Sequence, residues 1–395
     1  MKEKGFKSLT RLEEAKAEFF SAIDPLERKK KITLSEADGR VAAGPVYAPR
    51  AAPHYRRAAM DGFAVKATDT FGASESSPNR LKLTNAVSEG AAMPVHTGGH
   101  VPDAADAVIK IEETREQEEY IDVYSAVAPG DNVSPVGEDV AEGDLLLEAG
   151  TVIQPSHLGL LRSLGIETIE VADRPKVSVV PTGEELVSSG EEPGPGEAVQ
   201  SNGIMIAGCV RRWGGIPRER EVLSDRPADL RAALQSGLKD GDTVSFIGGS
   251  SVGRRDRIVE VLAEEGKIAV HGVAVQPGKP VALALVDGLP VLVLPGYPVA
   301  ALADAYFFLK PLISHLTGVR DEERTATVEL GRKISSKLGR LSLVRVKIED
   351  GRAYPIRVAG SGVLSSVTRS DGFVLVPEDS EGIAAEKDVE LHYWT

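Results

Sequence analysis

Three strand-to-loop transitions in this 395-residue chain are rich in small residues: PTGEEL (181–186), GGSSVGRRD (248–256), and QPGKP (276–280) with LPGYP (294–298). Glycine after a strand lets backbone N–H groups approach a phosphate closely, and a following helix directs its positive end at the same group. Ser250 and Ser251 add hydroxyl donors and Lys279 a fixed positive charge. Glu184, Glu185, Asp225 and Asp256 fall in loops expected at the same sheet edge. Carboxylates beside a phosphate call for a shared Mg²⁺, since like charges would otherwise repel. Each motif alone also reads as a plain turn or a solvated loop. Together, at successive strand ends, they read as a site for a phosphorylated ligand with a divalent cation.

The elements that must position these loops follow from periodicity. Between about 174 and 318 strand and helix alternate: strands at 176–183, 243–249, 281–286 and 290–296, helices at 202–213, 227–236, 256–265 and 298–316. Such alternation calls for a parallel or mixed sheet with helices on both faces, which binds ligands at the carboxyl ends of its strands. Upstream, residues 8–30 read as an amphipathic helix with Leu12, Ala15, Phe19 and Ile23 on one stripe. A second helix is expected from Ser35 to before Gly44 and Pro45. From about 60 to 150 the pattern turns to short strands such as LKLTNAV, DAVIKIEE and YIDVYSAV, a β-rich module. Residues 325–395 return to short strands and suggest a small β-barrel.

A net charge of −13 and 5% aromatic residues argue against a general nucleic-acid binder. The single cysteine, Cys209, excludes a disulfide within the chain and a cysteine-rich zinc site; its neighbours Ile204, Met205, Ala207 and Val210 suggest a helical core position. No apolar stretch reaches signal-peptide or bilayer length, so the expectation is a cytoplasmic protein with no membrane partner. His54, His96 and His100 invite a metal reading that neither a His-x-x-x-His spacing nor a cysteine supports.

In combination the motifs AAMDGFAV, HTGGHVP, GED (137–139), PTGEEL, SNG (201–203), GGSSVGRRD, QPGKP, LPGYPVAAL and SSVTRSDGF resemble the molybdopterin molybdenumtransferases, the MoeA and gephyrin E-domain family, in family order across essentially the whole chain. The resemblance implies a multidomain α/β plus β architecture. Residues 1–172 would form the N-terminal region, with a β-rich module inserted at about 46–145. Residues 173–320 would form a three-layer molybdopterin-binding α/β domain, and 321–395 a C-terminal β-barrel. It also implies an elongated homodimer whose cleft lies between the α/β domain of one subunit and the N-terminal module of the other.

The implied activity inserts molybdate or tungstate into adenylated molybdopterin with Mg²⁺ and releases AMP. The molybdopterin adenylyltransferase and apo-molybdoenzymes would be partners. Carried over as catalytic are Asp61, Thr97, Glu185, Asp225 and Asp256, with Glu184, Glu185, Asp225 and Asp256 as metal ligands. The ligand-binding set is Thr182, Gly183, Asn202, Gly248, Gly249, Ser250, Ser251, Gly253, Pro295 and Gly296, with Lys279, Arg345 and Ser366 around the oxyanion. Three departures bear on that set: Gln276 replaces a lysine, Tyr297 and Ala300 alter the usual PGNPVS, and Ser134-Pro135-Val136 replaces an arginine-rich stretch. Arg254 and Arg255 would compensate for the missing charge. The alternatives are the related adenylyltransferase and a catalytically weak paralogue serving as a molybdopterin-binding scaffold.

Overall fold

The computed structural model describes residues 9–248, 257–319, 324–356 and 360–394. The first helix, α1 (Leu12–Phe20), buries Leu12, Ala15 and Phe19, as the stripe requires. It is shorter than expected, because Asp24 and Pro25 cannot continue a helix and Lys29–Thr33 pairs antiparallel with Thr168–Ala172. The helix expected from Ser35 is a single 3₁₀ turn, Leu34–Glu36, capped reciprocally by Thr33 and Glu36. Gly39 in the left-handed region ends it, and Val41 and Ala42 then bridge to Val152 and Val171. An unforeseen helix, α2 (Pro155–Ser163), completes this region around Ile32, Leu34, Ile153, Leu161 and Val171.

The chain leaves and re-enters this region side by side, Val46–Tyr47 pairing with Leu145–Leu147. Between them lies a six-stranded sheet in the order Ala107–Lys110, Gly62–Val65, Ala91–Val95, Asn79–Leu83, Tyr120–Val123, Thr114–Glu116. Its own core is Phe63, Val65, Leu81, Ile109 and Ile121.

The α/β domain is built on β1 (Lys176–Pro181), β2 (Ile216–Glu219), β3 (Thr243–Ile247), β4 (Lys267–His271), β5 (Ala282–Val286) and β6 (Leu289–Leu294), in the order β2-β1-β3-β6-β5-β4. Strands β2, β1, β3 and β6 run parallel; β5 and β4 join antiparallel. Alternate residues face opposite layers, as a period of two demands. On one face Leu292 and Leu294 pack with α3 (Asn202–Arg212) and with α1. On the other, Val291 and Val293 pack with α4 (Pro227–Asp240) and α5 (Arg257–Glu265). Each such buried Val or Leu contributes about 1.5–3 kcal/mol.

The last long helix runs Pro298–Thr317 as α6 (Pro298–Asp304), a π turn at Ala305–Leu309, and α7 (Lys310–Thr317). By length and composition it could cross a bilayer, yet 78% of its apolar window is buried inside the protein. The C-terminal strands close a barrel: Leu341–Glu349 pairs with Arg352–Pro355 and with Gly372–Val376, and Thr325–Leu330 with Asp388–His392 completes the ring. Val275–Gln276, from the α/β domain, adds parallel to this sheet at Leu341–Ser342. The barrel is joined to the α/β domain by this pairing and by Leu343 and Phe373, which pack in the α/β core beside Tyr306.

Candidate active site

Strands β1, β3 and β6 end together because their main chains interlock at the carboxyl edge. The Thr182 N–H donates to Ile247 O at 2.9 Å and the Gly248 N–H to Leu294 O at 2.9 Å. Gly183 donates to Leu223 O at 3.2 Å, drawing in the segment that carries Asp225. Gly248 has φ +115°, and a side chain there would fall on the Thr182 carbonyl oxygen. Only glycine lets these strand ends approach so closely. A cleft of about 250 Å³ opens there, lined by Thr182, Glu185, Gln200, Ser201, Asn202 and Gly296 among others.

The polar atoms of this cleft are poised for a ligand. Asn202 opens α3 and donates its amide to Gly296 O at 2.7 Å, which leaves Oδ1 buried without a partner. Thr182 Oγ1 is buried too, beside the carboxyl of Asp225, which stands behind the cleft with its own Oδ1 buried. Unpaired buried acceptors are expensive, about 1–3 kcal/mol each, and in native proteins call for an explanation. Burial, then the charges of Glu185 and Glu184, push the Asp225 carboxyl above its ordinary range. A divalent cation with oxygen ligands would relieve that repulsion. Glu184 and Glu185 are exposed, and the described residues hold no cluster of three or more metal-ligating side chains. Asp256, Gly249, Ser250, Ser251 and Gly253 lie outside the described residues, as do Arg254 and Arg255.

Lys279, Arg345 and Ser366 belong to the seam with the barrel. Lys279 follows Val275–Gln276, which pairs with Leu341–Ser342, and Arg345 lies on that same barrel strand. Ser366 is 1% exposed; its hydroxyl accepts from Arg345 Nη1 at 2.8 Å and donates to Val363 O at 2.5 Å. Both hydroxyl functions are thus engaged, and Ser366 orients the guanidinium. Burial pulls the Arg345 pKa down. Tyr297 is 66% exposed and precedes α6 without a side-chain cap; Pro295 and Gly296 lead into it from β6.

Asp61 and Thr97 form a separate pair in the β-rich module. The Thr97 N–H and Oγ1 donate to Asp61 Oδ1 at 2.7 and 3.1 Å, and these bonds hold the carboxyl below its ordinary range. His96 Nδ1 stands 3.9 Å away. The neighbouring cleft is lined by Arg57, Thr97, Gly98, Ser134, Glu138 and Asp139 with their flanking alanines, all from the N-terminal region. Among the described residues neither cleft includes a residue of the other.

Sequence reasoning missed Gln200, whose only signal was adjacency to SNG, left Ser201 of that motif out of the ligand-binding set, and missed Asp304, a fully buried carboxyl in α6. Cys209 is half-buried on α3, its thiol pushed up to about 11 by burial, whereas Ile204 is exposed.

Three family models match in order: the MoeA N-terminal region (domain I and II) over residues 10–165, a probable molybdopterin binding domain over 178–315, and the MoeA C-terminal region (domain IV) over 327–394. A putative molybdopterin biosynthesis protein of Methanocaldococcus jannaschii is 37% identical, the match covering 94% of this chain and 93% of that one. A molybdopterin molybdenumtransferase 2 of Mycobacterium tuberculosis is 31% identical over 96% of both chains. The crystal structure of a molybdopterin biosynthesis moeA protein from Pyrococcus horikoshii superimposes with a TM-score of 0.88 at 32% identity, covering 98% of this chain and all of that one.

Proposed function

The chain belongs to the MoeA family of molybdopterin molybdenumtransferases, and from that premise we propose that it inserts molybdate or tungstate into adenylated molybdopterin and releases AMP in molybdenum cofactor biosynthesis. The observation that carries this reading is the carboxyl-edge cleft, where the unpartnered Asn202 Oδ1 and the buried Thr182 hydroxyl meet the glycine turns of β1, β3 and β6.

Asn202 Oδ1 and Thr182 Oγ1 are acceptors for the N–H groups of a pterin ring. The glycine at 248 lets main-chain N–H groups reach a phosphate. Asp225 with Glu185 or Glu184 would hold Mg²⁺, as would Asp256, and the ion would supply positive charge to a phosphoanhydride as it cleaves. Water attacks the phosphoanhydride; its oxygen stays on one phosphate and AMP leaves with the other. Lys279 and Arg345, brought to one seam by the barrel, supply fixed positive charge for a tetrahedral dianion, and Ser366 holds the guanidinium. Asp61, kept ionised by Thr97, accepts a proton or orients water. In this reading Asp61 and Thr97 reach the cleft from a second subunit of a homodimer.

The test is AMP release from adenylated molybdopterin with Mg²⁺ and molybdate, tungstate or neither. Oxyanion-dependent release that disappears in Asp61→Ala and Asp225→Ala is expected. Tight binding of the adenylate with no release under any condition would overturn the reading and leave a scaffold.

A further inference from the structure

Asp304, the last residue of α6, is 0% exposed, and neither of its carboxyl oxygens has a hydrogen-bond partner. Its helix is otherwise small and apolar there, with Ala300, Ala301, Ala303 and Ala305 all buried. A bare carboxyl in such a place is unfavourable, and burial raises its pKa well above the ordinary range. What it touches is specific. The carboxyl packs on Gly278, where φ is +116° and a Cβ would stand 2.7 Å from Asp304 Cγ and 2.9 Å from Oδ2. Gly278 immediately precedes Lys279.

The turn around Gly278 is pinned on its other sides. Val275–Gln276 pairs with the barrel strand, the Val273 N–H donates to Lys279 O at 3.0 Å, and the Val281 N–H donates to Gly278 O at 3.2 Å. From α6, Asp304 packs on this turn at Gly278. The same helix begins at the Gly296–Tyr297 edge of the ligand cleft. A polar group kept there against its burial penalty, beside the turn that bears the site's lysine, points to a role in placing that lysine.

We propose that Asp304 is a positioning residue for the oxyanion loop: its carboxyl sets the Gly278 turn from below and thereby fixes where Lys279 presents its charge. The proposal rests on the molybdenumtransferase reading. Its test compares Asp304→Asn, which keeps shape and hydrogen-bonding capacity, with Asp304→Leu, which keeps volume alone. Two readouts are taken on the full chain. In turnover, Asp304→Leu is expected to raise the half-saturating molybdate concentration about tenfold, the scale of one lost charge-assisted contact. Half-saturation by the adenylate and the rate at saturating oxyanion should not change, and Asp304→Asn should stay within about twofold of wild type. In the ligand-free protein, hydrogen exchange of the 276–281 amides should speed up in Asp304→Leu and not in Asp304→Asn. Equal behaviour of the Leu variant and wild type in exchange would reduce Asp304 to packing and overturn the proposal. So would equal damage in both variants. A wild-type chain that does not respond to molybdate would sink the functional reading instead, and the exchange data would still judge the loop.

Discussion

Replacing Gly248 by alanine puts a methyl group where the Thr182 carbonyl oxygen stands, with Thr182 Oγ1 3.1 Å away. A residue with a side chain also resists φ +115°, at a cost of about 1–3 kcal/mol. The overlap is with main chain, which cannot swing aside as a flexible side chain would, so β1 and β3 must separate by roughly 1 Å to restore van der Waals contact. That motion strains the Thr182-to-Ile247 and Gly248-to-Leu294 hydrogen bonds together, a further loss of about 1 kcal/mol. The sum, about 3 kcal/mol, is on the order of a hundredfold in the local opening equilibrium. Because the chain has several domains, the proper measure is hydrogen exchange of the β1 and β3 amides, not one global transition. Binding of adenylated molybdopterin should weaken by a similar hundredfold, since a misplacement of about 1 Å suffices for that. An alanine variant within about 0.5 kcal/mol of wild type, with unchanged affinity, would refute the close-approach reasoning.

Two further outcomes are expected. Asp225 has its folded pKa raised by burial and by Glu185 and Glu184, so its favourable neutral form is fully present below the unfolded carboxylate value of about 3.9 and is lost as pH rises through the higher folded value. Asp225→Asn should therefore stabilise the α/β domain at pH 7–8, by less than about 1 kcal/mol after solvent screening, and the gain should vanish near pH 3, read in the hydrogen exchange of its strand amides. Ser366→Ala removes the acceptor of Arg345 Nη1 and should destabilise the barrel by about 1.5–3 kcal/mol in hydrogen exchange; an unchanged barrel would show that the serine does not hold the guanidinium.

Much of the α/β domain was legible because its signals are local and redundant. Fully apolar strands such as β3 and β6 alternate with helices that end at glycine or acquire proline at their first turn, so pattern and chemistry agree. The N-terminal region was less legible. Residues 8–30 carry a helical stripe, but the helix stops at Phe20, and Lys29–Thr33 is claimed by pairing with Thr168–Ala172, a partner about 140 residues away that no local window contains. Helix α2 was hidden because Gly159 lowers its propensity and its apolar stripe is short. At the site, residue types were readable from sequence, whereas their grouping was not. Arg345 and Lys279 belong to one seam only because Val275–Gln276 joins a barrel strand, and Asp304 carries no motif that marks it as the neighbour of Gly278.

The side-by-side crossing at Val46–Tyr47 and Leu145–Leu147 also bears on how this chain can change over evolutionary time. Most of what lies between the two crossings folds around its own apolar centre; next to the crossings Ala48 and Val140 pack on Leu164 and Arg50 donates to Ser163 O, so the host region meets the insert only at its base. The free energy of closing a loop grows slowly with length, about 0.6 kcal/mol per doubling. An insert of this kind can therefore lengthen, shrink or be exchanged while Ile32, Leu34, Ile153 and Leu161 keep their neighbours. The piece that bears Asp61 and Thr97 is in that sense a replaceable cassette, and divergence within it need not disturb the sheet edge that holds Asn202 and Asp225.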